Sequence, residues 1–209
     1  MFIPFPTDIA AAGVKHLKRA DPVLRRLIER VGPFQLQLMR DPFRLLVRSI
    51  LSQQISAKAA EAIYGRVEKR LAPKRISAAA LAALAPGELR ACGVSPQKAA
   101  YLRDLSDKVL KGRVRLKGLA RFSDEQIIEE LTQVKGIGVW TAHMFLIFCL
   151  GRPDVFPHDD LGIRSALRTL YDLKELPDKK AGLAIASAWR PYATLGCWYC
   201  WRSLENGPA

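Results

Sequence analysis

LTQVKGIGVWTAHMFLIF (Leu131–Phe148) divides into the end of one helix, a glycine turn and a second helix that is nearly all apolar. Ser123 and Gln126 fit a capping box that opens the first helix, SDEQIIEEL. Gly136 and Gly138 allow a backbone path that bulkier residues resist. The next helix starts near Val139, and its apolar residues Trp140, Met144, Phe145, Ile147 and Phe148 lead us to expect burial. A glycine hairpin that aims successive backbone N–H groups outward at a helix N-terminus is a ready anion site. An ordinary helix–turn–helix corner is the competing reading, because glycine-punctuated helix pairs are common.

The charge of the chain favours the anion. Its 209 residues carry a net +13, and the excess is uneven: residues 1–75 hold 15 Lys/Arg against 6 Asp/Glu. Such a basic excess favours a polyanionic partner through counterion release, and nucleic acid is the partner to expect. No apolar run reaches the roughly 20 residues that a membrane span needs. The N-terminal MFIPFPTDIAAAGVKHLKRA has no positive segment followed by an apolar one, so no secretory signal is expected. Of the four cysteines, Cys92 and Cys149 read as small core residues. Cys197 and Cys200 have ligand spacing but no second pair, and are expected in a helix core. A reduced, cytosolic protein fits, associated with the nucleoid if the source is bacterial.

Elsewhere the chain reads as helical throughout, with no strand-like alternation. Asp21-Pro22 opens a helix closed by Gly32-Pro33, and Asp41-Pro42 opens another. The second carries an apolar row Val47, Leu51, Ile55, Ala59, Ile63, Val67 and Leu71, with a break expected at the polar SQQIS cluster, Ser52–Ser56. Short helices follow at 77–84, 86–92 and 96–110, then the hairpin unit. GRPDVFPHDD (Gly151–Asp160) is a loop, and further helices are expected at 161–171, 178–189 and 192–204. This is an all-α chain.

That loop holds the strongest candidates for chemistry. Asp159 and Asp160 precede a helix, where an Asp is usually a cap. A helix N-terminus also favours the anionic form of a carboxylate, which suits stabilisation of a cation better than proton abstraction. His158 is a candidate shuttle or a phosphate-facing loop residue. Lys58, Lys98 and Lys135 are possible amine nucleophiles by type only. Ser52, Gln53, Gln54 and Ser56 interrupt an apolar pattern, and buried unpaired amides are costly, so this segment should reach an exposed turn. A planar amide there could wedge into a base stack; helix-start capping by Ser52 is the simpler alternative.

Three segments together, VKGIGVWTA, VFPHDDLGIR twenty residues on, and ILSQQISAKAA upstream, resemble the helix-hairpin-helix DNA glycosylase superfamily with its Gly/Pro-Asp loop. WRPYATLGCWYCWR looks like the alkylpurine branch, the AlkA type of 3-methyladenine DNA glycosylase II. The resemblance runs from about His16 to Arg202. It implies two helical lobes with the active site in a cleft between them. Residues 1–33 and 151–209 would form the terminal lobe, and residues 34–150 a central bundle ending in the hairpin. It leaves no room for the N-terminal β domain of that type.

By position, the resemblance implies that Asp160 is the essential aspartate. Trp140 falls where bifunctional relatives carry a catalytic lysine, so a Schiff base and strand cleavage are not expected and water is the nucleophile. Trp198 matches an aromatic residue of the base pocket, and Met144 stands where that type has tyrosine. Gln54 matches the residue that fills the gap left by a flipped base. Val134, Lys135, Gly136, Ile137 and Gly138 form the hairpin that grips the DNA backbone. The carbonyls of Thr132, Val134 and Ile137 match those that hold Na+ or K+. No iron–sulfur cluster is expected, because that branch needs four spaced cysteines near the C-terminus and only Cys197 and Cys200 stand there. The implied function is monofunctional release of alkylated purines from double-stranded DNA by a monomer without membrane attachment. A bifunctional glycosylase/lyase for oxidised bases, a non-catalytic DNA-binding module and a helical protein-interaction domain are the alternatives.

Overall fold

A computed structural model describes residues 2–205; Met1 and residues 206–209, which the 1–33 and 151–209 segments include, lie outside the described residues. In chain order the elements are β1 (Phe2–Pro4), α1 (Thr7–Ala20), α2 (Pro22–Val31), β2 (Gln37–Met39), α3 (Pro42–Ser52), α4 (Ala57–Leu71), α5 (Ala78–Ala82) and α6 (Pro86–Ala91). Then come α7 (Pro96–Leu110), α8 (Asp124–Thr132), α9 (Val139–Phe145), a π-helical turn Leu146–Leu150, α10 (Leu161–Leu170), α11 (Lys179–Ala186) and α12 (Ala193–Glu205). The fold is all-α, with one small antiparallel sheet among the described residues. No described helix is long and apolar enough to cross a membrane.

The helix starts follow the chemistry of their first residues. Asp21 accepts the N–H groups of Val23 (2.8 Å) and Leu24 (3.1 Å) at the start of α2. Asp41, Ser56, Ser95, Ser123, Asp160 and Asp178 each accept an N–H from the first turn of the helix that follows. The Ser123/Gln126 capping box forms as expected, with the Gln126 side chain accepting the Ser123 N–H at 3.0 Å. The exposed turn at Gln53–Ser56 is present, but Ser56 caps α4, whereas the Ser52 hydroxyl donates back to the Ser49 carbonyl.

Several expectations need correction. Helix α1 was not legible: its buried face is only Gly13 and Leu17, too thin for apolar periodicity to mark. Residues 2–4 and 37–39 do form strands, paired Phe2 with Met39, Ile3 with Leu38 and Pro4 with Gln37. Three residues are too few to show alternation, and the partner lies far away in sequence. Of the apolar row, Val47, Leu51, Val67 and Leu71 are buried, but Ile55 is 38% exposed and Ala59 and Ile63 are not buried; α4 turns Ala60 and Tyr64 inward there. A strict i,i+4 row drifts about 40° around a helix at each step, so its members do not all stay on the buried face. The start of α9 is not buried either: Val139 is exposed and Trp140 is 41% exposed, while Met144, Phe145 and Ile147 are buried.

The chain forms two compact units, one of Met1–Arg40 with Leu146–Ala209 and one of Asp41–Phe145. Their seams lie at 40/41 and 145/146, because β2 pairs with β1 and packs on the π-helical turn, which draws 34–40 and 146–150 into the terminal unit. The core of that unit is the run Ala193–Cys200 of α12, buried throughout, which packs on α10, α2 and α1. In the other unit, Phe43, Leu46, Val47, Ile50 and Leu51 of α3 face α4, α7 and α9.

One buried carboxylate ties both chain ends of the terminal unit together. Besides its two cap bonds, Asp21 accepts the Tyr171 hydroxyl and the Trp189 indole N–H (2.9 Å) through its second oxygen. Burial and this anionic acceptor push the Tyr171 pKa far up, so the phenol stays protonated and donates. Removing the acceptor orphans four donors, each costing on the order of 1–3 kcal/mol if left dry. Asp21→Ala is therefore expected to lower the unfolding free energy by about 4 kcal/mol in equilibrium urea denaturation. A change near zero would show that water replaces the carboxylate.

Candidate active site

The loop that delivers Asp160 is pinned to the start of α12. Thr194, fully buried, donates its hydroxyl to the Arg152 carbonyl (2.6 Å), accepts the Val155 N–H on the same oxygen (3.0 Å) and donates its own N–H to the Pro153 carbonyl (3.0 Å). Asp154 accepts the Ala193 N–H (3.2 Å) and pairs with Arg190 (2.9 Å). The loop then closes through Asp160 N–H to the Pro157 carbonyl (2.9 Å) and ends at the N-cap of α10.

Asp160 is 8% exposed. Its Oδ1 accepts the Ile163 N–H at 2.8 Å and the Trp201 indole N–H at 3.0 Å. Trp201 is in turn stacked on Phe148, centroids 5.8 Å apart. Gly162 makes room for this: a Cβ there would lie 3.1 Å from Oδ1 and 3.3 Å from the Trp201 ring. A carboxylate with two donors on one oxygen at a helix N-terminus is held in one orientation and stabilised as an anion. Neighbouring Asp159 is exposed and sits 3.2 Å from the His158 ring nitrogen, whose side chain is mostly covered.

Sequence reading missed Trp201. It singled out Trp198, which is 7% exposed, lies edge-on to Phe34 and Tyr199 (4.9 Å each) and carries the Arg202 guanidinium over its ring at 5.4 Å. Cys197 and Cys200, in the same helix, are core residues as expected. Burial raises both thiol pKa values, which keeps the thiols neutral and unreactive. Among the described residues, no group of three or more His, Cys, Asp or Glu could hold a metal ion.

The hairpin belongs to the other unit, and three of its N–H groups are spent internally. Val134 N–H donates to Leu131, Ile137 N–H to Val134 and Lys135 N–H to the Asp104 carboxylate (2.8 Å). Among the described residues, the N–H groups of Gly136 and Gly138 donate to no protein acceptor. Gly136 has φ +81, and a Cβ there would sit 2.2 Å from the Tyr101 ring, so only glycine fits. Trp140 and Met144 follow one turn apart on the same face of α9.

Helix α7 supports this hairpin, which the sequence did not reveal. Asp104 also accepts Lys108 Nζ (2.6 Å), and the same ammonium donates to the Gln133 carbonyl (2.7 Å). Desolvation pushes the Asp104 carboxyl up, but the bonds from Lys108 and Lys135 and their charges together outweigh it and hold the group below 3.8. The Lys98 ammonium donates to the Leu51 carbonyl at the end of α3 (2.7 Å), and desolvation lowers its pKa. Next to that end, Gln54 is exposed at the tip of its turn with φ +57. A left-handed conformation costs a non-glycine residue about 1–2 kcal/mol, and it marks this tip as held in place by its surroundings. Gln53 Nε2 donates to the Gly136 carbonyl at 2.8 Å.

A glycine hairpin with two open N–H groups among the described residues lies in one unit, and an aspartate held at a helix N-terminus in the other. Residues 47–191 match the family model of the HhH-GPD superfamily base excision DNA repair protein. The chain belongs to the HhH-GPD superfamily. Among curated relatives, DNA-3-methyladenine glycosylase 1 of Schizosaccharomyces pombe is 36% identical over 202 residues, covering 91% of this chain and 86% of that protein. A solved S. pombe 3-methyladenine DNA glycosylase in complex with abasic DNA superposes with a TM-score of 0.81 at 34% identity, covering 91% of this chain and 95% of that one. The DNA-3-methyladenine glycosidase of Bacillus halodurans gives 0.82 at 37% identity, covering 98% and 97%. This HhH-GPD chain thus matches such relatives over nearly their whole length.

The Asp104 network predicts a pH effect. A carboxyl depressed in the folded state adds stability that is complete above 3.8, its ordinary value, and is lost as the pH falls from there through the folded value. Asp104→Asn should therefore cost stability at neutral pH and lose less than the wild type as the pH falls below 3.8, as followed by urea midpoints at each pH. Parallel curves for the two proteins would contradict this.

Proposed function

We propose that this chain is a monofunctional DNA glycosylase that hydrolyses the N-glycosidic bond of alkylated purines in double-stranded DNA and leaves an abasic site. Membership of a base excision repair superfamily and full-length similarity to 3-methyladenine glycosylases support the reaction class. The observation that carries the assignment within this chain is the orientation of Asp160 by Ile163 and Trp201.

A base inside a duplex cannot be reached, so it must leave the stack, which costs a few kcal/mol. The open N–H groups of Gly136 and Gly138 bind a backbone phosphate, and Gln54 enters the vacated space. The carbonyls of Thr132, Val134 and Ile137 would hold Na+ or K+ beside that phosphate site and supply one positive charge. The Val134 carbonyl keeps a second lone pair after accepting the Ile137 N–H, and Thr132 ends α8, where carbonyls lack helical partners; both fit such an ion.

N3- or N7-alkylated purines are cationic and already good leaving groups. One carboxylate then suffices where ordinary glycosidases use two. As the C1′–N bond breaks, the sugar becomes oxocarbenium-like, and the Asp160 anion stabilises that charge and orients the attacking water. The exposed ring of Trp140 offers an electron-rich face to a cationic base, with Met144 below it; a cation–π contact is worth about 0.5–2 kcal/mol. Trp198, which the resemblance also assigns to the base pocket, already carries the Arg202 cation on its ring.

Asn is as good a helix cap as Asp, so Asp160→Asn should fold and bind DNA. It should slow base release from methylated DNA by about 10²–10³-fold, read by mass analysis of the free bases. Near-normal release would refute the assignment. No amine stands at position 140, so borohydride should trap no covalent DNA adduct; a trapped adduct would favour the bifunctional glycosylase/lyase.

A further inference from the structure

We propose that Gln53 is a positioning residue, a strut that locks the wedge turn of Gln54 to the phosphate-gripping hairpin so that both engage DNA at one fixed spacing. The inference rests on the function proposed above and concerns how this unit performs it.

The turn between α3 and α4 has no helical hydrogen bonds of its own. It is held at its roots: the Leu51 carbonyl by Lys98 of α7, and the start of α4 by the Ser56 cap. Its one side-chain bond to the hairpin is the Gln53 amide to the Gly136 carbonyl, across 83 positions of sequence. On the hairpin side, the peptide carrying the Gly136 N–H lies between two fixed peptides. Asp104 holds the one before it through the Lys135 N–H, and Gln53 holds the one after it through the Gly136 carbonyl. The Tyr101 ring closes against Gly136 from the side. Gln53 thus aims a phosphate donor and, through the adjacent residue, fixes the strained tip that carries the Gln54 amide. A side chain that merely stitched the fold together would have no reason to join these two features in particular.

A rigid link makes its two ends depend on each other, so the losses on removing Gln53 and Gln54 should not add. The test uses the full chain with Gln53→Met, which keeps length and loses the donor. A duplex carrying a tetrahydrofuran abasic analogue opposite 2-aminopurine reports wedge insertion by fluorescence, and single-turnover release from methylated DNA reports catalysis. We expect Gln53→Met to lower the 2-aminopurine response and kcat about tenfold while KM moves little, and Gln54→Ala to add no further loss in that background. Additive losses, or a fall in kcat that tracks a fall in melting temperature, would overturn the strut. If Gln53→Met does not fold, Gln53→Glu, which turns the donor into an acceptor facing a carbonyl, should show the same non-additivity, and additive losses there overturn it equally. A wild-type chain with no 2-aminopurine response and no base release would instead defeat the proposed function.

Discussion

A carboxylate at the start of α10 does two things with one oxygen. Asp160 Oδ1 satisfies a helix N–H that would otherwise lack a partner, and it accepts the Trp201 indole. The cap makes the position structurally sensible, and the two donors on one oxygen hold the carboxylate in one orientation. Much of the terminal unit serves that arrangement. Thr194 and Asp154 fasten the loop to α12, α12 is buried along its first eight residues, and Asp21 joins α2 to Tyr171 and Trp189.

The other unit follows a different logic, in which hydrogen-bond donors are withheld or offered. The hairpin spends the N–H groups of Val134, Lys135 and Ile137 on its own structure and on Asp104, and leaves those of Gly136 and Gly138 open. Asp104 would repel a phosphate if left alone. The Lys108 ammonium at 2.6 Å compensates its charge while the carboxylate shapes the hairpin through the Lys135 N–H. Helix α7 contributes Lys98, Tyr101, Asp104 and Lys108 to this support, one helical face directed at one turn and one hairpin.

Where a signal is local in sequence, it was legible. Asp-Pro pairs and the capping box gave the starts of α2, α3 and α8, and the HDD triplet placed Asp160 at a helix start. Signals that need a distant partner were not. The strands pair residues 2–4 with 37–39, α1 packs through a glycine and one leucine, and Trp201 is told from Trp198 only by which of them reaches Asp160.

By itself, then, the order of residues determined the helices other than α1, the hairpin, the candidate aspartate and the basic charge, because caps, glycine conformations and formal charges are properties of a few adjacent residues. Tertiary structure alone decided which hairpin N–H groups stay open among the described residues, which tryptophan orients the carboxylate, and that Gln53 and α7 hold the turn between α3 and α4 to the hairpin. Those depend on side chains brought together from positions far apart in the chain. No local pattern encodes a hydrogen bond that forms only when two remote segments pack.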